Sequence, residues 1–534
     1  MENSCYLKFI IENIPRVLTQ IDRDKDSRTY GSCDRNYWHL KIRDFSSAIL
    51  QQTSLTLAML YKYDFAGNIY YKNPIIKEWA VAALKYMGKI QLRDGSFNEY
   101  YPNEHGFPPT AFILYAGCMT YKELELDDEE ILKFLGKTAR WLGKRIEKKA
   151  YNQEFASIVG LYLYYTISEK EEFKAYAEDK LTKILGKQSK DGYFMEQGGA
   201  DIGYLSVSLD MLTEYYLYSA DERVVEPINK VVDFFSYFIH QDGTIGGEYG
   251  SRNTIYFMPN GIENVINMNL PCVDTAIAIR EKIYFYVNNN HFMDSVDERY
   301  LTHYVMHSYL RANKKYKNAK TEYILPCDKA HKKIFEDAGL VSFNNGNYHA
   351  IIATKKGGLI KTYSGGVEKW LDCGYRTKIK EGTIAATNWL DQSYIISYGE
   401  DRISIKGKFN VVTPKVQNPI YHLGLRVGAA ILGDKVNKVI KKLTIFSDSH
   451  NDMEFERSII LDNNSVILED EIRAHKIIDL YEADNNSLRL VASGKFFSKS
   501  DLLQTGTNTY SQIRSVSIKK EFNFDNGKLS TVSN

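Results

Sequence analysis

The chain has 534 residues, of which 44% are apolar and 25% are charged, so we expect a folded protein with two or three hydrophobic cores. Its 68 basic and 67 acidic residues leave a net charge of +1, which argues against broad binding to nucleic acid or to a membrane surface. No apolar run reaches membrane-spanning length, and the N-terminal residues do not read as a signal peptide. Six cysteines without CxxC spacing predict free thiols in a cytoplasmic protein, and we expect neither a catalytic metal nor a cofactor.

Amphipathic helices are predicted along the first part of the sequence. In the segment 41–62, for example, Phe45 and Ile49 are four residues apart, a spacing that places side chains on one face of a helix. Comparable patterns predict helices over 74–92, 110–122, 128–147, 152–167, 171–187, 204–218, 222–240 and 296–313.

An internal repeat organises these predicted helices. Three of them are followed by glutamine, then Asp-Gly and then glutamate, and the Asp-Gly pairs begin at Asp94, Asp191 and Asp242. The last two pairs are about fifty residues apart and the first two about twice that, which fits units of one αα-hairpin. Glycine supplies the left-handed conformation that ends a helix, and aspartate favours the turn. Because the ending is similar to that of α/α-toroids, we expect a closed ring whose loops at one end line a cleft.

The pattern of the sequence changes near residue 320. Short stretches rich in β-branched residues then alternate with turn clusters such as Asn344-Asn345-Gly346. Many short strands without intervening helices predict an antiparallel sandwich. The predicted organisation is therefore an α/α-toroid over residues 1–320, a linker over 321–334 and an antiparallel β-sandwich over 335–534.

The segments 30–52, 94–112, 151–165, 196–210 and 246–254 together resemble the heparinase II/III-like family, especially uncharacterised members associated with polysaccharide gene clusters. The resemblance implies a polysaccharide lyase that acts on an acidic, uronate-containing oligo- or polysaccharide. Such an enzyme neutralises the uronate carboxylate, removes the C5 proton and protonates the departing O4 in a β-elimination.

The resemblance also implies which residues neutralise the substrate carboxylate. An Asn-Asn-His-Gly stretch of the family aligns with Asn152, Gln153, Glu154 and Phe155, so Gln153 takes the neutralising position and Asn152 contacts substrate. Asn152 has the alternative role of capping the predicted helix 152–167. Glu154 stands where the family has histidine, and near a uronate its charge would repel the substrate.

A tyrosine and an arginine are the predicted proton-transfer pair. Tyr204 lies 51 residues after Gln153, close to the spacing of the family's catalytic tyrosine. Arg252 is the cation expected to activate that phenol and to hold a carboxylate. Their neighbours Tyr249, Asn253 and Tyr256 are further candidates for substrate binding.

Two other segments carry candidate residues of the cleft. Arg35 suits an acidic sugar by its charge and Trp38 by stacking, although helix capping explains this segment equally well. Asn103 and His105 follow the first Asp-Gly pair, where ring geometry brings them near the same cleft. His105 is a candidate proton carrier, and a structural role is its alternative.

The β part offers His349 or His422 as a histidine that reaches the cleft, and the sequence does not choose between them. Three other functions stay open beside the lyase: a uronate C5-epimerase, a glycoside hydrolase and a non-catalytic glycan-binding protein of polysaccharide biosynthesis. A hydrolase needs two carboxylates that flank the scissile bond. The candidates are Glu99, Glu104, Glu154, Asp201 and Glu248.

Overall fold

The computed structural model of the protein describes residues 4–285, 296–413, 418–432, 449–485 and 508–534. Helices fill the first part of these ranges, and antiparallel strands fill the second. Within them, every helix is too short or too polar to cross a membrane.

The helices of the first part follow one another with short connections. They are α1 (Leu7–Leu18), α2 (Arg35–Trp38), α3 (Thr53–Lys62), α4 (Pro74–Ile90), α5 (Phe107–Glu123), α6 (Glu129–Gly143), α7 (Tyr151–Ser168), α8 (Glu171–Leu185), α9 (Ile202–Ser219), α10 (Val225–Ser236), α11 (Asn260–Met268), α12 (Val273–Tyr284), α13 (Glu298–Tyr300) and α14 (Met306–Lys315). A single π-helical turn, Leu301–Val305, joins α13 to α14.

Six of these helices form a closed inner ring. Helices α3, α5, α7, α9, α11 and α14 pack against one another in that order, and α14 packs back against α3. The inner helix α5 buries every residue from Pro109 to Tyr121, whereas the outer helix α6 buries a stripe that includes Ile131 and Leu135. A helix that is apolar all round belongs inside, and an amphipathic one belongs outside. The ring predicted from the repeat is present.

Glycine in the repeated turns is required by the packing of the ring. Gly95 and Gly192 both have φ of +100° and Gly243 has φ of +80°, in the left-handed region. A Cβ atom on Gly95 would lie 2.4 Å from the carbonyl oxygen of Lys137 on α6. One on Gly192 would lie 2.6 Å from that of Lys230 on α10. The turns of Gly95 and Gly192 therefore press against the next outer helix, where a side chain does not fit.

We expect Gly192→Ala to lower the free energy of unfolding by about 2 kcal/mol more than Gly198→Ala does, as measured by urea denaturation. Both glycines have positive φ, but nothing lies within 4 Å of a Cβ atom on Gly198, so the control isolates the contact with Lys230. Equal losses in the two variants would show that the backbone conformation alone demands glycine.

The described residues of the second part of the chain form thirteen strands and one α-helix. The strands are β1 (His331–Phe335), β2 (Leu340–Asn344), β3 (His349–Ala353), β4 (Leu359–Ser364), β5 (Val367–Asp372), β6 (Tyr375–Lys380), β7 (Thr383–Ala386), β8 (Ile395–Tyr398), β9 (Arg402–Val412), β10 (His450–Leu461), β11 (Ser465–Glu482), β12 (Thr509–Asn523) and β13 (Lys528–Ser533). Helix α15 (Pro419–Leu432) lies between β9 and β10.

These strands form two antiparallel sheets. Strands β1 to β5 pair in sequence order in a five-stranded sheet. The other sheet has the order β10-β9-β7-β6-β11-β12-β13, with β8 paired to β9, and β10 also pairs with β11. That extra pairing closes β10, β9, β7, β6 and β11 into a small barrel. The antiparallel strands that the sequence predicts are present, but the predicted sandwich is not confirmed.

The five-stranded sheet packs on the helical part. The last ring helix ends at Lys315 and β1 begins at His331, within the segment 321–334 that the sequence predicts as a linker. Phe335 of β1 contacts Phe238 after α10, with 5.2 Å between ring centroids. The sheet thus rests beside the third Asp-Gly turn, where its side chains reach the loop that follows.

Candidate active site

A buried carboxylate positions Tyr204 and Arg252 together. Asp201 caps the N-terminus of α9, and its Oδ1 accepts a hydrogen bond from the backbone N–H of Tyr204 at 3.2 Å. Its Oδ2 accepts from the backbone N–H of Arg252 at 2.9 Å. The guanidinium carbon of Arg252 lies 5.2 Å from the centroid of the half-buried Tyr204 ring. The predicted pair is therefore in direct cation–π contact.

Glu196 joins this pair to the start of α7. Arg252 Nη1 donates to Glu196 Oε1 at 3.3 Å, and Asn152 Nδ2 donates to Glu196 Oε2 at 2.6 Å. The Glu196 side chain is 3% exposed, and burial raises its pKa to about 8. We call Asn152, Glu196, Tyr204 and Arg252 the Tyr204 cluster. It connects the loops after the second and third Asp-Gly turns.

The residues that align with the Asn-Asn-His-Gly stretch have distinct positions. Helix α7 begins at Tyr151 and its N-cap, Ala150, makes no side-chain cap, so the capping role of Asn152 is wrong. Glu154 is buried, and its Oε1 accepts from Lys180 Nζ at 2.6 Å. Lys180 therefore balances the charge of Glu154, so this carboxylate is not expected to repel a uronate. Gln153 is half-buried, and its side-chain amide makes no hydrogen bond within the described chain.

The Tyr204 cluster keeps an unused donor. Arg252 Nε is buried and has no hydrogen-bond partner among the described residues. Burial alone would lower the pKa of Arg252, but Tyr204 and Glu196 outweigh it and raise the pKa, so the guanidinium stays charged. A charged, fixed donor without an acceptor is prepared to bind an anion.

Four aromatic rings in contact, those of Tyr204, Tyr256, Tyr300 and His303, form a row that we call the aromatic wall. The sequence did not indicate His303. Ring centroids are 5.9 Å apart between Tyr204 and Tyr256, and 6.2 Å apart between Tyr256 and Tyr300. They are 4.8 Å apart between Tyr300 and His303. His303 lies in the π-helical turn, a feature often found at functional sites. Since Tyr256 is only 2% exposed, it supports Tyr204 from behind rather than offering a face to a ligand.

A second arginine, also missed, lies beside this wall. Arg299 Nη2 donates to Glu99 Oε1 at 2.6 Å, and Nη1 donates to Ser47 Oγ at 3.4 Å. Its guanidinium carbon lies 4.9 Å from the centroid of the Tyr100 ring. We call Ser47, Glu99, Tyr100, Arg299 and His303 the Arg299 cluster.

Two predicted binding residues near Arg252 are occupied by protein contacts. Tyr249 is buried, and its hydroxyl group accepts from the backbone N–H of Gly246 at 2.9 Å and hydrogen-bonds to His240. Asn253 is 8% exposed, and its Oδ1 accepts from Lys356 Nζ at 2.8 Å. Tyr249 therefore belongs to the interior, and Asn253 fastens the Arg252 loop to the β part.

The segment of Arg35 and Trp38 forms the short helix α2. Trp38 Nε1 donates to the backbone carbonyl oxygen of Gln20 at 2.7 Å, and both predicted residues are half-buried. No hydrogen bond or ring contact within the described chain joins either of them to the Tyr204 cluster. This hydrogen bond gives Trp38 a structural role.

Asn103 and His105 lie in the turn before α5. Both have left-handed φ, +57° and +50°. His105 Nδ1 lies 2.8 Å from Asp94 Oδ2 and 2.9 Å from Ser96 Oγ. These contacts hold His105 against the first Asp-Gly turn. They fit the structural role that is the alternative to a proton carrier.

The two candidate histidines of the β part have different surroundings. His349 is buried in β3, where its ring stacks on Tyr363 and its Nε2 lies 3.4 Å from Ser342 Oγ. Burial lowers the pKa of His349 to about 3, so it is a neutral core residue. His422 is exposed on α15. In the described residues, no hydrogen bond joins either histidine to Tyr204 or Arg252.

The carboxylates considered for a hydrolase are all buried and engaged. Glu154 binds Lys180, Glu99 binds Arg299, and Asp201 caps α9. Glu104 Oε2 accepts from two backbone N–H groups, and Glu248 binds Lys361 of β4 at 3.1 Å. Across the described residues, no three histidine, cysteine or acidic side chains are placed to hold a metal ion.

Comparison with known proteins agrees with this architecture. Residues 59–257 match the family model described as the ulvan lyase N-terminal domain. The structure is similar to chondroitin AC lyase of Streptomyces coelicolor A3 in complex with chondroitin sulphate, with a TM-score of 0.56 and 11% identity over 90% of this chain and 68% of that chain. A point mutant of the same enzyme gives a TM-score of 0.53 at 11% identity, with coverage of 90% and 68%. Heparinase III gives 0.48 at 10% identity, with coverage of 97% and 99%. No curated protein matches the sequence.

The protein thus shares its overall fold with chondroitin AC lyase, and its residues 59–257 are similar to the ulvan lyase N-terminal domain. The matched segment 59–257 contains all four residues of the Tyr204 cluster and ends before Arg299 and His303.

Proposed function

We propose that the protein cleaves a uronate-containing polysaccharide by β-elimination at the Tyr204 cluster. The observation that carries the proposal is the contact of Tyr204 with Arg252, fixed by two buried carboxylates and linked through Glu196 to Asn152. The similarity of this region to the ulvan lyase N-terminal domain supports an acidic polysaccharide as the substrate.

Arg252 and Gln153 would bind the uronate carboxylate. The C5 proton of a uronate becomes acidic only when the charge of its carboxylate is neutralised, because removal of the proton places negative charge on the same group. Arg252 carries an unused Nε–H, and Gln153 carries an amide without a protein partner in the described chain. Arg252 lies in the loop after the third Asp-Gly turn, and Gln153 lies at the start of α7. Glu196 joins that loop to that helix.

Tyr204 would move the proton. A phenol is a weak base near neutral pH unless a cation stabilises its anion, and Arg252 lies against the ring. The C5–H bond and the C4–O4 bond break, a C4–C5 double bond forms, and the hydroxyl of Tyr204 passes the proton from C5 to the departing O4. The proton taken from C5 is the one given to O4, so the elimination needs no second proton carrier.

The β part would hold the Arg252 loop in place. Lys356 binds Asn253 and the carbonyl oxygen of Gly250, and Lys361 binds Glu248. We propose on this basis a catalytic unit over 1–320 and a supporting β unit over 335–534. These bounds, the sandwich arrangement of the strands and the cytoplasmic location stay predictions.

The decisive assay follows the products formed from a panel of uronate polymers in deuterated water. Elimination creates an unsaturated sugar that absorbs in the near ultraviolet, whereas C5 epimerisation introduces deuterium at C5 without new absorbance. New reducing ends without either signal would indicate a hydrolase. Binding without any of the three would replace the lyase with a glycan-binding protein.

Substrate binding should weaken as the pH rises through about 8, because Glu196 then ionises and offsets the charge of Arg252. KM for an acidic polymer should rise above that pH in the native protein and stay flat in Glu196→Gln, which keeps the shape but does not titrate. A KM that rises equally in both proteins would contradict this role of Glu196.

The raised pKa of Glu196 also predicts how the stability of the protein depends on pH. The pKa of Glu196 is raised in the folded protein from 4.5 to about 8, so the folded state holds a proton that the unfolded state has released. The free energy of unfolding should therefore fall as pH rises from 4.5 to about 8, relative to Glu196→Gln, and then level off. Urea denaturation at several pH values measures this difference.

A further inference from the structure

The Arg299 cluster repeats the construction of the Tyr204 cluster. Glu99 follows Asp94 by five residues, and Glu196 follows Asp191 by five residues. Each glutamate is buried and accepts from one arginine, and each arginine lies over the ring of a tyrosine. Two equivalent turns of the ring thus present the same arrangement of carboxylate, guanidinium and phenol.

The donors of the Arg299 cluster reach the surface. Tyr100 is 53% exposed, whereas the Arg299 side chain beneath it is 17% exposed and the Glu99 side chain is 6% exposed. The exposed ring shields one face of the guanidinium, and Glu99 and Ser47 fix its orientation. An arginine held in this way loses little conformational freedom when it binds an oxyanion.

His303 adds an unused polar atom to the cluster. Its Nδ1 is buried and has no hydrogen-bond partner among the described residues. Burial, and then the charge of Arg299, lower the pKa of His303 to about 3, so the ring is neutral and one of its nitrogens carries a proton to donate. Buried polar atoms normally have partners, so an orphaned one beside a fixed cation points to a ligand.

Ring contacts join the two clusters. The ring of Tyr300 lies against that of His303 in the Arg299 cluster, with 4.8 Å between centroids. The rings of Tyr256 and Tyr300 connect the clusters along the wall. A chain of sugars that enters the Tyr204 cluster would therefore pass the Arg299 cluster.

We propose that the Arg299 cluster is a second anion subsite, which binds the carboxylate or sulfate group of a sugar next to the uronate held at Tyr204. This inference rests on the proposed function and names its substrate class: polysaccharides that carry acidic groups on neighbouring sugars. Arg299 provides the charge, and Tyr100 and His303 provide further hydrogen bonds.

The test measures binding by calorimetry in the Tyr204→Phe background, which leaves the substrate intact. The probes are tetrasaccharides of chondroitin sulphate and of ulvan, each also in desulfated and carboxyl-reduced form. Adding Arg299→Gln should weaken binding of the intact probes by about tenfold or more. If desulfation abolishes the difference, the bound group is a sulfate. If carboxyl reduction abolishes it, the bound group is a carboxylate.

Two further variants separate binding from folding. His303→Phe keeps the ring contact with Tyr300 and removes both nitrogens, so it should weaken the same probes without breaking a hydrogen bond of the described chain. Arg16→Gln removes a surface arginine that pairs with Glu298 at 2.7 Å and should change nothing.

Wild-type affinity in both Arg299→Gln and His303→Phe, or an equal loss for all forms of the probe, overturns the second subsite. The proposed function fails separately, if the native protein forms no unsaturated product from any probe. A protein that binds none of the probes overturns both.

Discussion

Tyr204→Phe should reduce kcat on a cleaved uronate polymer by about 100-fold or more, while KM and the unfolding midpoint stay close to those of the native protein. The variant keeps the ring that packs against Tyr256 and Arg252 and removes only the hydroxyl group. If that hydroxyl moves the proton from C5 to O4, its loss acts on the chemical step and not on binding. The rate of absorbance gain at saturating substrate measures the effect.

Tyr216→Phe is the matched control for this experiment. Tyr216 lies on the same helix, α9, and its hydroxyl donates to Glu222 at 2.8 Å on the surface. The substitution is chemically identical and should leave kcat unchanged. Native activity in Tyr204→Phe would assign the proton to another group, and His303 would be the next residue to replace.

The ring could be predicted from the sequence because its signals are local. The turns at Asp94, Asp191 and Asp242 each need a left-handed glycine, and the apolar spacing of each helix is set by its own residues. The closure of the barrel depends on pairing between strands far apart in the chain, such as Leu480 of β11 with Thr377 of β6. Alternation of apolar residues is the same in a barrel and in a sandwich, so the sequence does not distinguish them.

The candidate site likewise contains residues that the sequence indicates and residues that it does not. Tyr204 could be predicted because its spacing from Gln153 is close to that in the family, and Arg252 because it is a cation in a segment that resembles the family. Arg299 meets Glu99 across about 200 residues of chain, and such a pairing has no local signature. His303 lies in a π-helical turn inside a segment whose spacing predicts an ordinary helix, and one extra residue in that turn changes which side chains face the cleft.

Glu154 illustrates the limit of reading a motif residue by residue. The sequence places an acid where the family has histidine, and its charge argues against a lyase. The structure pairs that acid with Lys180, which comes from the neighbouring outer helix α8. The departure from the motif is therefore compensated by a residue outside it. The donors proposed to neutralise the uronate carboxylate are Gln153 and Arg252.

Arg252→Lys should lower kcat/KM by about 100-fold even though it preserves the positive charge. The arginine side chain binds Glu196 through Nη1 and keeps a separate Nε–H donor without a partner among the described residues, and a lysine ammonium does not provide both directions at once. Charge-assisted hydrogen bonds contribute about 1.5–3 kcal/mol each, and about 2.7 kcal/mol corresponds to a factor of 100. The loss should appear in kcat as well as KM, since in the proposed mechanism Arg252 also stabilises the phenolate of Tyr204.

Arg223→Lys provides the comparison, because Arg223 also pairs with a carboxylate, Asp221, but on the surface of the ring. It should leave kcat/KM unchanged. Circular dichroism and the unfolding midpoint establish that both variants are folded. If Arg252→Lys keeps native kcat/KM, a simple point charge suffices at this position, and the directed hydrogen bond to the uronate carboxylate has to come from Gln153 instead. Gln153→Ala would then show the 100-fold loss expected here for Arg252.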